Sequence, residues 1–201
     1  MTSHNELHEM TLEKLGQLFP IILCDHSDKW IGLYQSERNL ILNNFSQADI
    51  VQIDHIGSTS IPGIKAKPTI DILLQISEHI DSNTLKKIFK SLDYHHNDCP
   101  DNPPPHLMFV KGYSPAGYIG QAYHVHIRYK GHWDEIRFRD YLINHEETAK
   151  EYETIKLKLA DKYRNDREAY TNSKTDFIEK INTLTRKENT NNSRYMQQND
   201  I

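Results

Sequence analysis

Four short runs with strand composition, 50–56 (IVQIDHI), 69–76 (TIDILLQI), 106–113 (HLMFVKGY) and 122–129 (AYHVHIRY), occupy the middle of the chain. A single helical pattern, SNTLKKIFKSL, separates the second from the third, with Leu85, Ile88, Phe89 and Leu92 on one side. Strands interrupted by a helix must share a sheet that buries at least one face against helices, so this order predicts an α/β (α+β) fold. The linking segment 114–121, SPAGYIGQ, is short enough to make the last two strands an antiparallel hairpin, with a loop longer than the favoured two residues.

Helical periodicity flanks the strands. Leu7, Met10, Leu15, Leu18 and Phe19 have one apolar spacing, and Trp30, Leu33, Tyr34, Leu40, Ile41 and Phe45 form a second stripe after the N-cap types Ser27 and Asp28. From Trp133 to about residue 186 the pattern is helical again, with breaks near His145 and near residues 165–172. The tail KENTNNSRYMQQND has no apolar period. The expected organisation is one domain, 1–186, comprising N-terminal helices (1–48), a sheet core (50–130) of about four to five strands and a helical part (132–186), followed by a disordered tail, 187–201.

Composition narrows the function. At 201 residues with a formal net charge of −4, the chain lacks the broad basic footprint that phosphate-backbone binding requires, so nucleic acid is not the expected partner. Cys24 and Cys99 match no metal or redox spacing. The polar N-terminus and the absence of a long apolar run predict a cytoplasmic protein without a membrane partner.

The stretch with the most chemistry is HIGSTSIPGIKAKPTIDILL, 55–74. A strand ends at Ile56, a turn of Gly57, Ser58, Thr59 and Ser60 follows, and Asp71 sits on the next strand, so backbone amides and a hydroxyl can hold a phosphate that a carboxylate faces. It is not a Walker loop, because Ile64 rather than Lys follows Gly63. The plain alternative is that the hydroxyls close a tight turn and that Asp71 is a structural acceptor. Lys65 and Lys67, in the loop between, are phosphate candidates or ordinary solvated lysines.

In YHVHIRY, alternation puts His124, His126 and Arg128 on one face. If this strand neighbours that of Asp71, the two histidines and the carboxylate make a candidate catalytic and metal-binding set, Asp71, His124 and His126, with His55 nearby. Such donors suit zinc better than magnesium. A wet face of an antiparallel sheet explains the alternation equally well. Arg139, in DEIRFRDYL, joins the ligand-binding candidates, against the plain reading of a surface pair between Arg137 and Asp140. The prolines of CPDNPPPHLMFVKGY predict a stiff connector that can rim a cleft.

The Gly-Ser turn followed by an Asp-bearing strand resembles the opening motif of nucleotidyltransferases. Together with DKWIGLYQSERNLILNNF, YHVHIRY, FRDYLINHEETAKEYETIKLKLA and YTNSKTDFI, it is similar to the GrpB-like family over roughly residues 20–182. The resemblance implies a nucleotidyltransferase-like fold and a bacterial protein of a kind also found fused to dephospho-coenzyme A kinase. It also brings in Lys174 as a ligand-binding candidate. One departure matters: two-metal chemistry needs a second carboxylate two residues after Asp71, and that position is Leu73. The expected function is therefore binding of a nucleotide or other phosphate-bearing small molecule, with a divalent metal, magnesium or zinc, as the cofactor such a site takes. The alternatives are an active metal-dependent nucleotidyl- or phosphoryl-transferase and an assembly partner of another enzyme.

Overall fold

A computed structural model describes residues 7 and 9–198. Helix α1 (Leu12–Leu18) starts at the Thr11 cap, whose side chain accepts from the Lys14 amide; α2 (Lys29–Leu42) starts directly after Ser27 and Asp28, where the Asp28 side chain makes no capping bond. Strand β1 (Ile50–Ile56), a 3₁₀ turn (Ser58–Ser60), β2 (Thr69–Ile76), α3 (Ser82–Ser91), β3 (His95–Asp98), β4 (Leu107–Ser114) and β5 (Gly117–Tyr129) follow. Helices α4 (Asp134–Asn144), α5 (Glu146–Lys162), α6 (Arg167–Asn172) and α7 (Thr175–Gln198) complete the described chain.

The five strands form one mixed sheet in the order β1-β2-β5-β4-β3. Only β2 and β5 are parallel, and the crossover between them carries α3, β3 and β4. This pairing sets the site: β2 lies between β1 and β5 and is buried along its length except at Asp71. On one face, Ile70, Ile72 and Leu74 of β2 and Val125 and Ile127 of β5 pack against Trp30, Tyr34 and Ile41 of α2 and Leu85 and Phe89 of α3. Phe89 stacks on Phe109 at 4.2 Å. Each large apolar side chain removed from water there contributes on the order of 1.5–3 kcal/mol.

The opposite face carries a second, smaller core. Ile61 and Ile64, from the loop after the 3₁₀ turn, pack with Phe138 and Leu142 of α4, Ala149 and Tyr152 of α5, and Phe177 and Ile181 of α7. Polar bonds lock this layer to the sheet. Arg139 Nη1 donates to the His55 carbonyl at 2.8 Å and to Asp54 Oδ1 at 3.3 Å, and Lys150 Nζ donates to the Gly63 carbonyl at 2.5 Å. The Lys65 amide donates to Glu153, and Lys156 Nζ donates to the Lys65 carbonyl.

Two expectations need correction. The hairpin loop is two residues, not longer: Ser114 pairs with Gly117, and the Ser114 hydroxyl, accepting from the Ala116 amide and donating to the Gly117 carbonyl, closes it. Strand β5 consequently begins five residues before Ala122. The pair expected between Arg137 and Asp140 does not form, because Arg137 binds Asp134 at 2.8 Å and Arg139 binds Asp140 at 2.7 Å. Helix α7 runs through 187–198, the stretch expected as a disordered tail, up to Gln198; no Gly or Pro interrupts 175–198. Residues 199–201 lie outside the described residues.

Candidate functional site

Strand pairing assembles the centre of the site. Asp71 is directly opposite His124 on β5, and Leu73 is opposite His126, so the histidine face and the carboxylate share one side of the sheet. His124 Nδ1 lies 3.1 Å from Asp71 Oδ1 and His126 Nε2 lies 3.8 Å from it. One ligand atom from each of the three falls within 4.8 Å of the others. Burial opposes ionisation of Asp71, yet hydrogen bonds from His124 and His126 hold its carboxyl well below the usual range. Burial lowers the His124 pKa, against the attraction of Asp71, so the imidazole is the neutral donor. The Tyr113 hydroxyl completes the chain, 2.7 Å from His124 Nε2 with the rings stacked at 5.7 Å.

The glycine turn approaches this centre closely. Gly57 has φ 71° and ψ −175°, a conformation essentially reserved for glycine, and a Cβ there would stand 2.5 Å from Asp71 Oδ2. The hydroxyls of the turn divide into different roles. Thr59 Oγ1 donates to the Thr69 carbonyl at 3.0 Å, so His55 Nε2, also 3.0 Å away, must donate to it. Ser60 donates back to the Gly57 carbonyl at 2.6 Å. Ser58 lines the cleft together with Tyr152, whose hydroxyl burial pushes up to about 12.

A cleft of about 880 Å³ opens between the polar face of the sheet and the C-terminal helices. Ser58, Asp71, His124 and His126 line it together, with Lys67, Lys156, Arg167 and Lys174 on its walls and Pro103 of the proline segment at its edge. Lys67 and Lys174 hold their ammonium groups 5.8 Å and 4.5 Å from the Tyr170 ring. Burial first, then repulsion from Arg167 and Lys174, brings Lys67 down to about 7. Burial and Lys174 bring Lys156 down to about 7, and burial lowers Lys174 itself. Among the described residues, none of these four cations is ion-paired to a carboxylate. An adjoining hollow of about 930 Å³, walled by Phe19, Val110 and Tyr113, meets the cleft at Met108, His124 and Arg167.

Four candidates are placed elsewhere or differently. Lys65 reaches out to Asp25 and Arg139 is spent on Asp54, Asp140 and the His55 carbonyl. Arg128 shares the histidine face but is buried against Trp133, with Nη2 on Glu135 at 2.9 Å. His55 lies on the other side of the sheet, stacked on Tyr34 at 4.8 Å, where burial lowers its pKa to about 4. Lys156, Arg167 and Tyr152 were missed. The signal for the first was available: Ala149, Tyr152 and Lys156 share one helical face, so a lysine stands in the buried stripe of α5. Leu73, two residues after Asp71 on the same strand and level with His126, is wholly buried. The carboxylate level with it, Asp54 on β1, is held by Arg139.

Comparison with known proteins places this geometry in a family. Residues 20–184 match the family described as GrpB protein. The glutamate-rich protein GrpB of Alkalihalophilus pseudofirmus is 34% identical over 165 residues, 80% of this chain and 93% of that one. A UPF0157 protein of Pseudomonas aeruginosa is 40% identical over 131 residues, 64% of this chain, which spans about half (53%) of that relative's length. The crystal structure of conserved protein GrpB from Enterococcus faecalis superimposes with a TM-score of 0.72 at 26% identity, covering 83% of this chain and 98% of that one. The chain belongs to the GrpB family. No helix among the described residues is long and apolar enough to cross a membrane.

Proposed function

We propose that this GrpB-family chain binds a nucleotide or another phosphate-bearing small molecule in the cleft between the sheet and the C-terminal helices. The observation that carries the reading is the group of four basic side chains, Lys67, Lys156, Arg167 and Lys174, which among the described residues form no ion pair with a carboxylate and gather around Ser58 and Asp71. Like charges held together in a partly dry cleft repel and are destabilising; an anion of two or more charges relieves that repulsion. The volume suits a drug-sized or nucleotide-sized molecule, and the adjoining hollow offers the rings of Phe19 and Tyr113 to a group attached to the phosphate.

Binding alone is favoured over two-metal phosphoryl transfer by the carboxylate count. Leu73 replaces one ligand, and Asp54 is neutralised by Arg139 at 3.3 Å. Calorimetric titration of the chelator-treated chain with pyrophosphate and ATP tests the proposal. Wild type is expected to bind, with a raised melting temperature by mass action. Lys67→Met and Lys174→Met are expected to bind at least tenfold more weakly, since each removes a charge-assisted contact of about 1.5–3 kcal/mol. Absence of binding to both probes, or wild-type affinity in both variants, overturns it.

A further inference from the structure

We propose that Asp71, His124 and His126 form a transition-metal centre, of the kind zinc, cobalt or iron(II) occupies, open toward the cleft. Nothing in this inference depends on the phosphate reading, because all three ligands lie on the sheet itself. The two strands that carry them are hydrogen-bonded neighbours, with Asp71 level with His124 and Leu73 level with His126. The donor atoms are therefore held by a ladder rather than by a loop. Asp71 Oδ1 lies 3.1 Å from His124 Nδ1 and 3.8 Å from His126 Nε2, and the whole set spans no more than 4.8 Å. Bonds of roughly 2.0–2.2 Å to a shared ion place donors about 3–3.5 Å apart, a distance that small side-chain rotations reach from here.

The chemistry of the donors selects the metal. Magnesium demands oxygen ligands and keeps its waters, whereas two imidazoles and one carboxylate suit borderline transition ions. The place where a hard-ion site would put its second carboxylate is filled by Leu73, which no ion can use. A ligating histidine ordinarily donates its other ring N–H to a fixed partner, and here the Tyr113 hydroxyl stands 2.7 Å from His124 Nε2. Tyr113 is a positioning residue: with a metal on Nδ1, it fixes the tautomer and the ring plane. Three protein ligands leave at least one coordination position, as in open zinc sites, and the cleft supplies what fills it. A dication on one carboxylate keeps a net positive charge, so an anionic oxygen is the preferred occupant.

The test uses the untagged full chain, stripped with chelator and free of phosphate, titrated with cobalt(II), zinc and magnesium. Calorimetry gives stoichiometry, and the visible absorption of cobalt(II) reports coordination number. One equivalent of cobalt or zinc, a low-coordinate cobalt spectrum and no competition from magnesium are the expected results. His126→Ala and the near-isosteric Asp71→Asn should each abolish the spectrum while the protein still melts cooperatively. Tyr113→Phe should weaken zinc by about 10–100-fold without changing the stoichiometry. Absence of uptake, uptake undiminished in Asp71→Asn and His126→Ala, or magnesium displacing zinc at comparable concentration overturns the centre. Because the pyrophosphate titration above is run in chelator and this one without phosphate, either proposal can fail alone.

Discussion

Replacing Gly57 by alanine probes the closest approach in the site. The perturbation has two parts. The backbone at φ 71° and ψ −175° lies in a region that residues with a Cβ avoid, which costs on the order of 2 kcal/mol. The added Cβ would also meet Asp71 Oδ2 at 2.5 Å and Cγ at 3.1 Å, so the carboxylate must turn away from His124 and weaken a charge-assisted hydrogen bond, adding about 1 kcal/mol. For a chain of this size, about 3 kcal/mol lowers the melting temperature by roughly 6–12 °C. Differential scanning calorimetry of Gly57→Ala measures the sum, and the same substitution in an Asp71→Ala background separates the parts. Without the carboxylate the backbone strain and a 3.0 Å contact with the Cβ of residue 71 remain, so the two substitutions should couple by about 1 kcal/mol. A Gly57→Ala protein melting within about 2 °C of wild type would refute the strain argument. Strict additivity with Asp71→Ala would refute the claim that the carboxylate needs the glycine.

Buried lysines and a buried histidine give pH predictions of opposite range. Lys156 has a folded pKa of about 7 against 10.5 unfolded; between these the unfolded chain holds the extra proton, so stability rises with pH through the window by up to ~1.4 kcal/mol per unit. Lys67 and Lys174 contribute in the same direction, so urea unfolding at pH 7, 8 and 9 should show Lys156→Met with a shallower slope than wild type; an unchanged slope would contradict the burial assigned to Lys156. His55, at about 4 folded against 6.5 unfolded, is charged first in the unfolded chain, so stability falls as pH drops from 6.5 through 4. His55→Phe, which keeps the ring stacked on Tyr34, should flatten that acid limb by up to about 3 kcal/mol, and a limb as steep as wild type would count against the neutral, Thr59-bound imidazole.

How far the sequence carries can be argued from particular elements. The apolar run 69–76 and the alternation in 122–129 made β2 and β5 legible, because a strand buried on one or both faces imposes its period on the residues. Strand β3, His95–Asp98, was not legible: it is four residues long and polar, and it pairs only with β4 at the sheet edge. Its partner decides its conformation, and a single-sequence pattern holds no trace of a partner. The hairpin loop was misjudged for a related reason. Residues 117–121 carry two glycines and read as loop, yet pairing with β4 draws them into strand.

The site divides along the same line. Asp71, His124 and His126 could be named from alternation, while their meeting depends on β2 and β5 being parallel neighbours in one register, which is a property of the whole sheet. Lys65 and Lys67 are two residues apart in one loop, and nothing local says which turns to Asp25 and which turns inward. Arg128 shows that a shared strand face is not a shared site. Two rungs beyond His126 the face is already covered by Trp133 and Glu135, and the guanidinium is consumed there. The cations come from the loop before β2, from α5, from α6 and from the residue just before α7; the loop, α5 and α7 meet in the second core of Phe138, Tyr152 and Phe177. The sheet half of the site therefore rests on one core and the cationic half on another. A ligand that touches both would tie two separately stabilised layers together, which is why anion binding should stabilise the chain more than the contacts to either layer alone would suggest.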